Sequence, residues 1–331
     1  MTQTQYLCTF WLLLFSFSTM DATRAAAPRA CVDNTPHKEK FVTVAPNVNL
    51  QVIDWGGTGE TMVLLTGLGD NAHVYSQFAF QWNDHFHVIG ITRRGYLPSS
   101  QPPDGYDVPT RVADDIAVLD SLKIDRVVLV GHSIAGSELS GIAASHPDRV
   151  DKLVYLDALD LSQRNEVPGP PAFFGLFTEA DTKSLWTYAA ANARYQGVRE
   201  PEPAICPGLQ FDNAGNPVAS TTPDAVPAAI SAGTAAVPLV NWSRIAAPRL
   251  GVFALPTLEV RSPWFTYLSP ADQTLFDQQY PGYVDWYRAT MRQFTRGNPV
   301  SPVILKNAPH YVYINNETDV VRAMRAFLGI Q

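Results

Sequence analysis

Runs of consecutive apolar residues alternate with stretches whose apolar side chains recur every three to four positions, from Phe41 almost to the C-terminus. Met62 to Leu65, Phe86 to Thr92, Val127 to Val130, Lys152 to Leu156, Arg249 to Phe253 and Pro302 to Leu305 carry no regular polar alternation, as expected of strands covered on both faces. Phe41 to Val44 and Leu50 to Asp54 instead alternate about a turn at Pro46-Asn47, the pattern of a half-exposed antiparallel pair. Between these runs Val112, Ile116, Val118 and Leu119 recur at helical spacing within Thr110 to Leu122, which puts Asp114 on the outer face. Ser137 to Ala144 and about Glu317 to Leu328 predict further helices. Strands alternating with helices of this length predict βαβ units and a mostly parallel, doubly wound sheet, so the expected class is α/β.

The alternation stops between residues 161 and 247, where prolines from Pro168 to Pro238 punctuate short helical pieces such as Thr182 to Arg194. This stretch predicts a mainly helical cap inserted into the sheet domain rather than a second sheet. Its aromatic residues, Phe173, Phe174, Phe177, Trp186 and Tyr188, either build a small core for the cap or line a pocket beneath it. The expected organisation is a signal peptide over 1–27, the first part of the core over 28–160, the cap over 161–247 and the second part of the core over 248–331.

Composition narrows the setting. A net charge of -7 over 331 residues disfavours a nucleic-acid partner, which would call for a basic face. The apolar run from Tyr6 to Met20, followed by Ala25-Ala26-Ala27, reads as an export signal, although no Lys or Arg precedes it. It is shorter than the roughly 20 apolar residues a membrane span needs, and no other stretch is long enough. The mature chain is therefore expected to be secreted or periplasmic, with no membrane span. Cys8 would leave with the signal, and Cys31 and Cys206 remain as an even pair, either bonded to each other or free and buried.

The chemistry centres on Gly131-His132-Ser133-Ile134-Ala135-Gly136, at the end of the apolar run Val127 to Val130 and the start of a helix. Small residues around a serine at a strand-to-helix turn are what a nucleophile elbow requires, because nothing bulky fits beside that turn. The pattern departs from Gly-x-Ser-x-Gly in carrying Ala135 at the fifth position, with the glycine one place later. Thr66-Gly67-Leu68-Gly69 follows another buried strand. Its glycines mark either a simple tight turn or a place where backbone approaches something closely.

In these features the chain resembles the α/β-hydrolase superfamily from Phe41 onward, with the insertion where that family carries its cap. The resemblance implies Ser133 as nucleophile and a histidine late in the chain as general base. His310 is the only histidine after His146, and it follows the last predicted strand. The backbone N–H groups of Leu68 and Ile134 would form the oxyanion hole. Arg93-Arg94-Gly95-Tyr96 and His146-Pro147-Asp148-Arg149-Val150 resemble structural connections of the family and carry no expected chemistry. The acid stays open between Asp157, after the strand ending at Leu156, and Glu259, which lies about two residues later than the family's usual position. The resemblance implies no cofactor and no metal.

The expected reaction is cleavage of a carboxylic ester, a small-molecule substrate, through an acyl-enzyme. Two alternatives remain. A proline-iminopeptidase-like aminopeptidase or amidase would hold the substrate ammonium with cap carboxylates, among which Glu179, Asp181, Glu200 and Glu202 are available. A non-catalytic ligand-binding protein would keep the same fold without turnover. Dehalogenase and epoxide-hydrolase chemistry is disfavoured, because both need a carboxylate where Ser133 stands.

Overall fold

The structure is a computed structural model and describes residues 31–159, 177–238, 240–255, 257 and 262–330. The expected signal peptide, Phe173, Phe174 and Glu259 lie outside the described residues.

Strands β1 (Lys38–Ala45) and β2 (Val48–Gly56) form the expected antiparallel pair, and Asn47 turns between them at a φ of 61°. Strand β3 (Thr61–Leu65) is followed by β4 (His87–Ile91), helix α1 (Val108–Leu122), β5 (Val127–His132), α2 (Ala135–Ser145) and β6 (Val150–Leu156). The cap carries α3 (Leu185–Gln196), α4 (Glu202–Ile205), a hairpin of β7 (Leu209–Phe211) and β8 (Pro217–Ser220), and α5 (Ala225–Ala235). The chain then returns to the sheet with β9 (Arg249–Leu255), α6 (Pro270–Phe294), β10 (Val303–Lys306), the single turn α7 (Val312–Asn315) and α8 (Glu317–Leu328). The sheet has eight strands in the order β1-β2-β4-β3-β5-β6-β9-β10, parallel from β4 to β10, with β2 antiparallel to β4.

The apolar runs explain why the sheet is covered twice. In β5, Val127 and Leu129 join the core shared with α1, α2 and α6, while Val128 and Val130 join the opposite core with residues 72–82 and α8. Because successive side chains point to opposite faces, only an unbroken apolar run can satisfy both.

One expectation needs correction. Asp114 is not on the outer face of α1; it is buried and takes two 2.6 Å hydrogen bonds from the Arg94 guanidinium. Helical spacing locates the apolar stripe but does not reveal a carboxylate neutralised by an arginine from a distant loop. The cap is mainly helical as expected and also holds the short β7–β8 hairpin. Its own small core joins Leu185, Tyr188, Ile205, Cys206 and Leu209 with Phe177, so Phe177 and Tyr188 are packing residues. Trp186 points outward and is 64% exposed, beneath the guanidinium of Arg199.

Cys31 and Cys206 are bonded, with Cα atoms 5.5 Å apart, which ties the segment before β1 to the cap core. The bridge closes a sequence separation of 175 residues. In the chain-entropy account a loop that long stabilises by up to about 5 kcal/mol. The paired substitution Cys31→Ser/Cys206→Ser should therefore lower the melting temperature markedly. An unchanged melting temperature, or two free thiols in the unreduced wild-type protein, would show that the bridge contributes nothing.

Candidate active site

At the junction of β5 and α2 the backbone of Ser133 sits at a φ of 55°, a left-handed conformation that a non-glycine residue adopts at a cost. The turn survives because its flanks leave no alternative. A Cβ on Gly131 would come within 2.5 Å of the Leu139 side chain and 3.0 Å of the Ala135 Cβ. One on Gly136 would lie 2.5 Å from the Ala158 carbonyl oxygen. Glycine is thus required at 136, against the chain leaving β6, whereas position 135 has room for a methyl group. This accounts for the shifted glycine in the motif.

His310 follows β10, and its Nδ1 donates to Asp157 Oδ2 at 2.6 Å. Asp157 directly follows β6 and also adopts a positive φ, 45°, with its N–H bonded to the Val252 carbonyl of β9. Its second oxygen, Oδ1, accepts from the Ala254 N–H at 2.9 Å and from the Tyr287 hydroxyl at 2.5 Å. The carboxylate is therefore held at three points, and its side chain is only 8% exposed. With Nδ1–H directed at Asp157, the imidazole keeps its lone pair on Nε2, the tautomer a general base needs. Of the two candidate acids, Asp157 is the one bonded to His310, and Glu259 is outside the described residues.

His132 links the serine to this loop. Its Nε2 donates to the His310 carbonyl at 3.2 Å, and the two rings lie 4.5 Å apart. Burial, and secondarily the neighbouring His310, push the His132 pKa down, which keeps it an uncharged support beneath the site.

The N–H groups of Leu68 and Ile134 have no hydrogen-bond acceptor among the described residues, and the two side chains share one apolar cluster with Tyr96, Tyr106, Val226 and Ile230. Their orientation depends on Arg93, a residue from which the sequence suggested no chemistry. Arg93 Nη1 donates to the Gly67 carbonyl at 2.6 Å and Nη2 to the Thr66 carbonyl at 2.7 Å. In a planar trans peptide the N–H points opposite to the C=O, so drawing the Gly67 carbonyl toward Arg93 turns the Leu68 N–H the other way. Arg93 also pairs with Glu138 of α2 at 2.8 Å, with both side chains buried. Burial pushes the Glu138 carboxyl up, but Arg93 and Arg111 beside it outweigh that and hold it below its ordinary value. Two signals could have revealed this brace: an arginine ending a buried strand, and a lone glutamate within a helix of small and apolar residues. Tyr287 left no such signal, since nothing in α6 distinguishes it from the other aromatic residues there.

The carboxylates proposed for an ammonium-binding role are scattered. Glu179 is exposed, Asp181 pairs with Arg194, and Glu202 pairs with Arg199. Only Glu200 is buried, where burial first and Asp70 second push its pKa up to about 8, and Asn192 Nδ2 donates to it at 3.1 Å.

Comparison with known proteins agrees with this architecture. Residues 60–185 match the family model described as alpha/beta hydrolase fold. The chain has the α/β-hydrolase fold, and residues 60–185 are similar to that family. It is 36% identical over 103 residues to a putative non-heme haloperoxidase of Mycobacterium phage D29, covering 31% of this chain and 37% of that protein. It is 32% identical over 102 residues to 2-(acetamidomethylene)succinate hydrolase of Mesorhizobium japonicum, covering 30% of this chain and 36% of that protein. In both cases the match spans little more than a third of the relative's length. Among solved structures, an E-2-(acetamidomethylene)succinate hydrolase superposes over 89% of this chain and 100% of its own with a TM-score of 0.62 at 19% identity. A carboxylesterase of Bacillus subtilis superposes over 88% of this chain and 92% of its own with a TM-score of 0.57 at 14% identity, a likeness of fold.

Two outcomes test this α/β-hydrolase site. Asp157→Asn should cut turnover by roughly 10⁴-fold, as amide replacement does in a serine-protease triad, and Glu259→Gln should leave it nearly intact. Tyr287→Phe removes one hydrogen bond to a charged group, worth about 1.5–3 kcal/mol, and should cost roughly 10- to 100-fold in kcat with little change in KM. Steady-state kinetics on the three variants would decide; a crippled Glu259→Gln beside an active Asp157→Asn would transfer the acid's role.

Glu200 supports a prediction of opposite sign. Its carboxyl is neutral in the folded chain below about pH 8 but ionises near 4.5 when unfolded, so its cost to folding grows from pH 4.5 to 8 and then levels off. Glu200→Gln keeps the Asn192 contact and should be more stable than wild type at pH 8, with little difference at pH 4.5. A gap that is equal at both pH values in urea melts would refute the assignment.

Proposed function

We propose that the protein is a serine hydrolase that cleaves a carboxylic ester through an acyl-enzyme. The observation that carries this reading is the left-handed backbone of Ser133 at the β5–α2 turn, at the same C-terminal end of the parallel strands as the His310–Asp157 pair. Ser133 Oγ attacks the ester carbonyl while His310 Nε2 takes its proton, and the Leu68 and Ile134 N–H groups stabilise the oxyanion. Collapse of the tetrahedral intermediate expels the alcohol, protonated by His310, and leaves the acyl group on Ser133. Water, deprotonated by the same imidazole, then releases the acid. Asp157 holds the imidazole tautomer throughout and stabilises the transient imidazolium.

The apolar surroundings of the oxyanion donors, Tyr96, Tyr106, Val226 and Ile230, favour an ester with an apolar group over a charged substrate. The aminopeptidase reading is weaker, because Glu202 and Asp181 are engaged by arginines and Glu200 is held neutral below about pH 8. Relatives include an epoxide hydrolase of Mycobacterium tuberculosis and a fluoroacetate dehalogenase of Burkholderia, but a serine stands here where those chemistries need a carboxylate. The Cys31–Cys206 bridge supports export to an oxidising compartment.

Ser133→Ala should retain the fold and lose on the order of 10⁴-fold or more of its activity on p-nitrophenyl esters. Assaying esters of graded chain length beside aminoacyl amides ranks the substrate classes. Turnover that survives in Ser133→Ala, or amides preferred over every ester, would overturn the proposal.

A further inference from the structure

Away from the Ser133 site, the segment that precedes β1 brings three metal-binding side chains together. One carboxylate oxygen of Asp33 and one ring nitrogen each of His37 and His73 lie within 4.8 Å of one another. Asp33 and His37 flank a bend just after Cys31, while His73 sits in the short helix Ala72–Tyr75 that follows the oxyanion loop. We propose that Asp33, His37 and His73 form a zinc site that fastens the N-terminal segment to the sheet domain beside the cap.

The first support is charge. The Asp33 side chain is 5% exposed and has no Lys or Arg partner among the described residues; its one ionisable partner is His73, 2.8 Å away. Hydrogen bonds from His73, Ser76 and Thr35 hold the carboxylate in place. A buried anion flanked by two imidazoles lacks a full counter-charge, which a divalent ion would supply.

The second support is the arrangement behind the ligands. Metal-bound histidines nearly always donate their second ring N–H to a fixed acceptor. His37 Nδ1 lies 2.7 Å from the Thr35 carbonyl, so it carries the proton and leaves the Nε2 lone pair available. His73 Nε2 faces the Gln51 amide nitrogen at 3.3 Å, while Gln51 Oε1 accepts from Thr92 Oγ1 at 2.6 Å. Zinc at His73 Nδ1 would displace the proton now given to Asp33, and the neutral ring would carry its one proton on Nε2 instead, donated to the Gln51 oxygen once that amide turns. Asp33 is braced in the same way, with Thr35 N–H and Oγ1 on Oδ1 and Ser76 Oγ on Oδ2.

Two imidazoles and one carboxylate suit zinc or a similar borderline ion, whereas calcium prefers an all-oxygen shell. Bond lengths of about 2.0–2.2 Å set tetrahedral ligand separations near 3.4 Å, so the donors must close by roughly 1.4 Å at most. His37, half-buried on a short bend, can make that movement. Three protein ligands leave one position for water.

The test is calorimetric titration of the intact, disulfide-bonded protein with ZnCl₂, and separately with CaCl₂. Zinc should bind one to one with micromolar or tighter affinity and raise the melting temperature, and calcium should do neither. His37→Gln, a change at a half-buried position that the fold tolerates, should weaken zinc binding at least tenfold, as should His73→Gln. Wild type that binds no zinc at 100-micromolar concentration, or His37→Gln that binds it as tightly as wild type, would overturn the proposal by assigning any bound metal to other histidines.

Discussion

The geometry of the site depends on one buried cation. Arg93 sits where the chain leaves the sheet after β4. Its guanidinium takes two loop carbonyls on one side and the Glu138 carboxylate on the other. Burying such a pair is expensive unless its hydrogen-bonding capacity is filled, and here the backbone of Thr66 and Gly67 completes that filling. The loop that carries the Leu68 N–H is therefore locked by the same group that anchors the first turn after Ser133. Neither the Gly67–Leu68 peptide nor the first turn of α2 can move without leaving this buried charge short of a partner.

A similar economy governs the acid. Asp157 leaves the sheet after β6 at a positive φ, and its carboxylate is fixed by a β9 backbone N–H and by Tyr287 from α6. The Tyr287 hydroxyl is a dependable donor, because burial and the adjacent Asp157 charge push its pKa well above the ordinary value. Strand β9 thus holds the Asp157 carboxylate through its backbone. Below the ring of His310, uncharged His132 supports the loop without competing for Asp157.

The cap is joined to the sheet domain by contacts close to the oxyanion loop. Asn71 Nδ2 donates to the Ala204 carbonyl of the cap at 2.6 Å, and Cys206, two residues on, is bonded to Cys31. Asp33, two residues after Cys31, is in turn bonded to His73 and Ser76 of the sheet domain. The N-terminal segment therefore closes a circuit from cap to core, and the cap's own small core is built around the same disulfide. Val226 and Ile230 of α5 pack against Leu68 and Ile134 from this tethered cap.

Local pattern determined much of this protein. Unbroken apolar runs mark strands buried on both faces, so β3, β5, β6 and β9 were legible within a residue or two, as was α8. The elbow at Ser133 was legible because a strained turn admits only small neighbours, and His310 because no other histidine lies downstream of His146. The Cys31–Cys206 pairing was legible as a possibility from an even count. Tertiary structure alone decided which carboxylate meets His310, since Asp157 and His310 are far apart in the chain and converge only when β6, β9 and β10 align. It also decided that Asp114 and Arg93 are buried, because a charge becomes tolerable inside only when a partner from another element arrives with matching geometry. Tyr287 is the clearest case: nothing near it in the chain distinguishes it, and its role arises only where α6 packs across the end of the sheet.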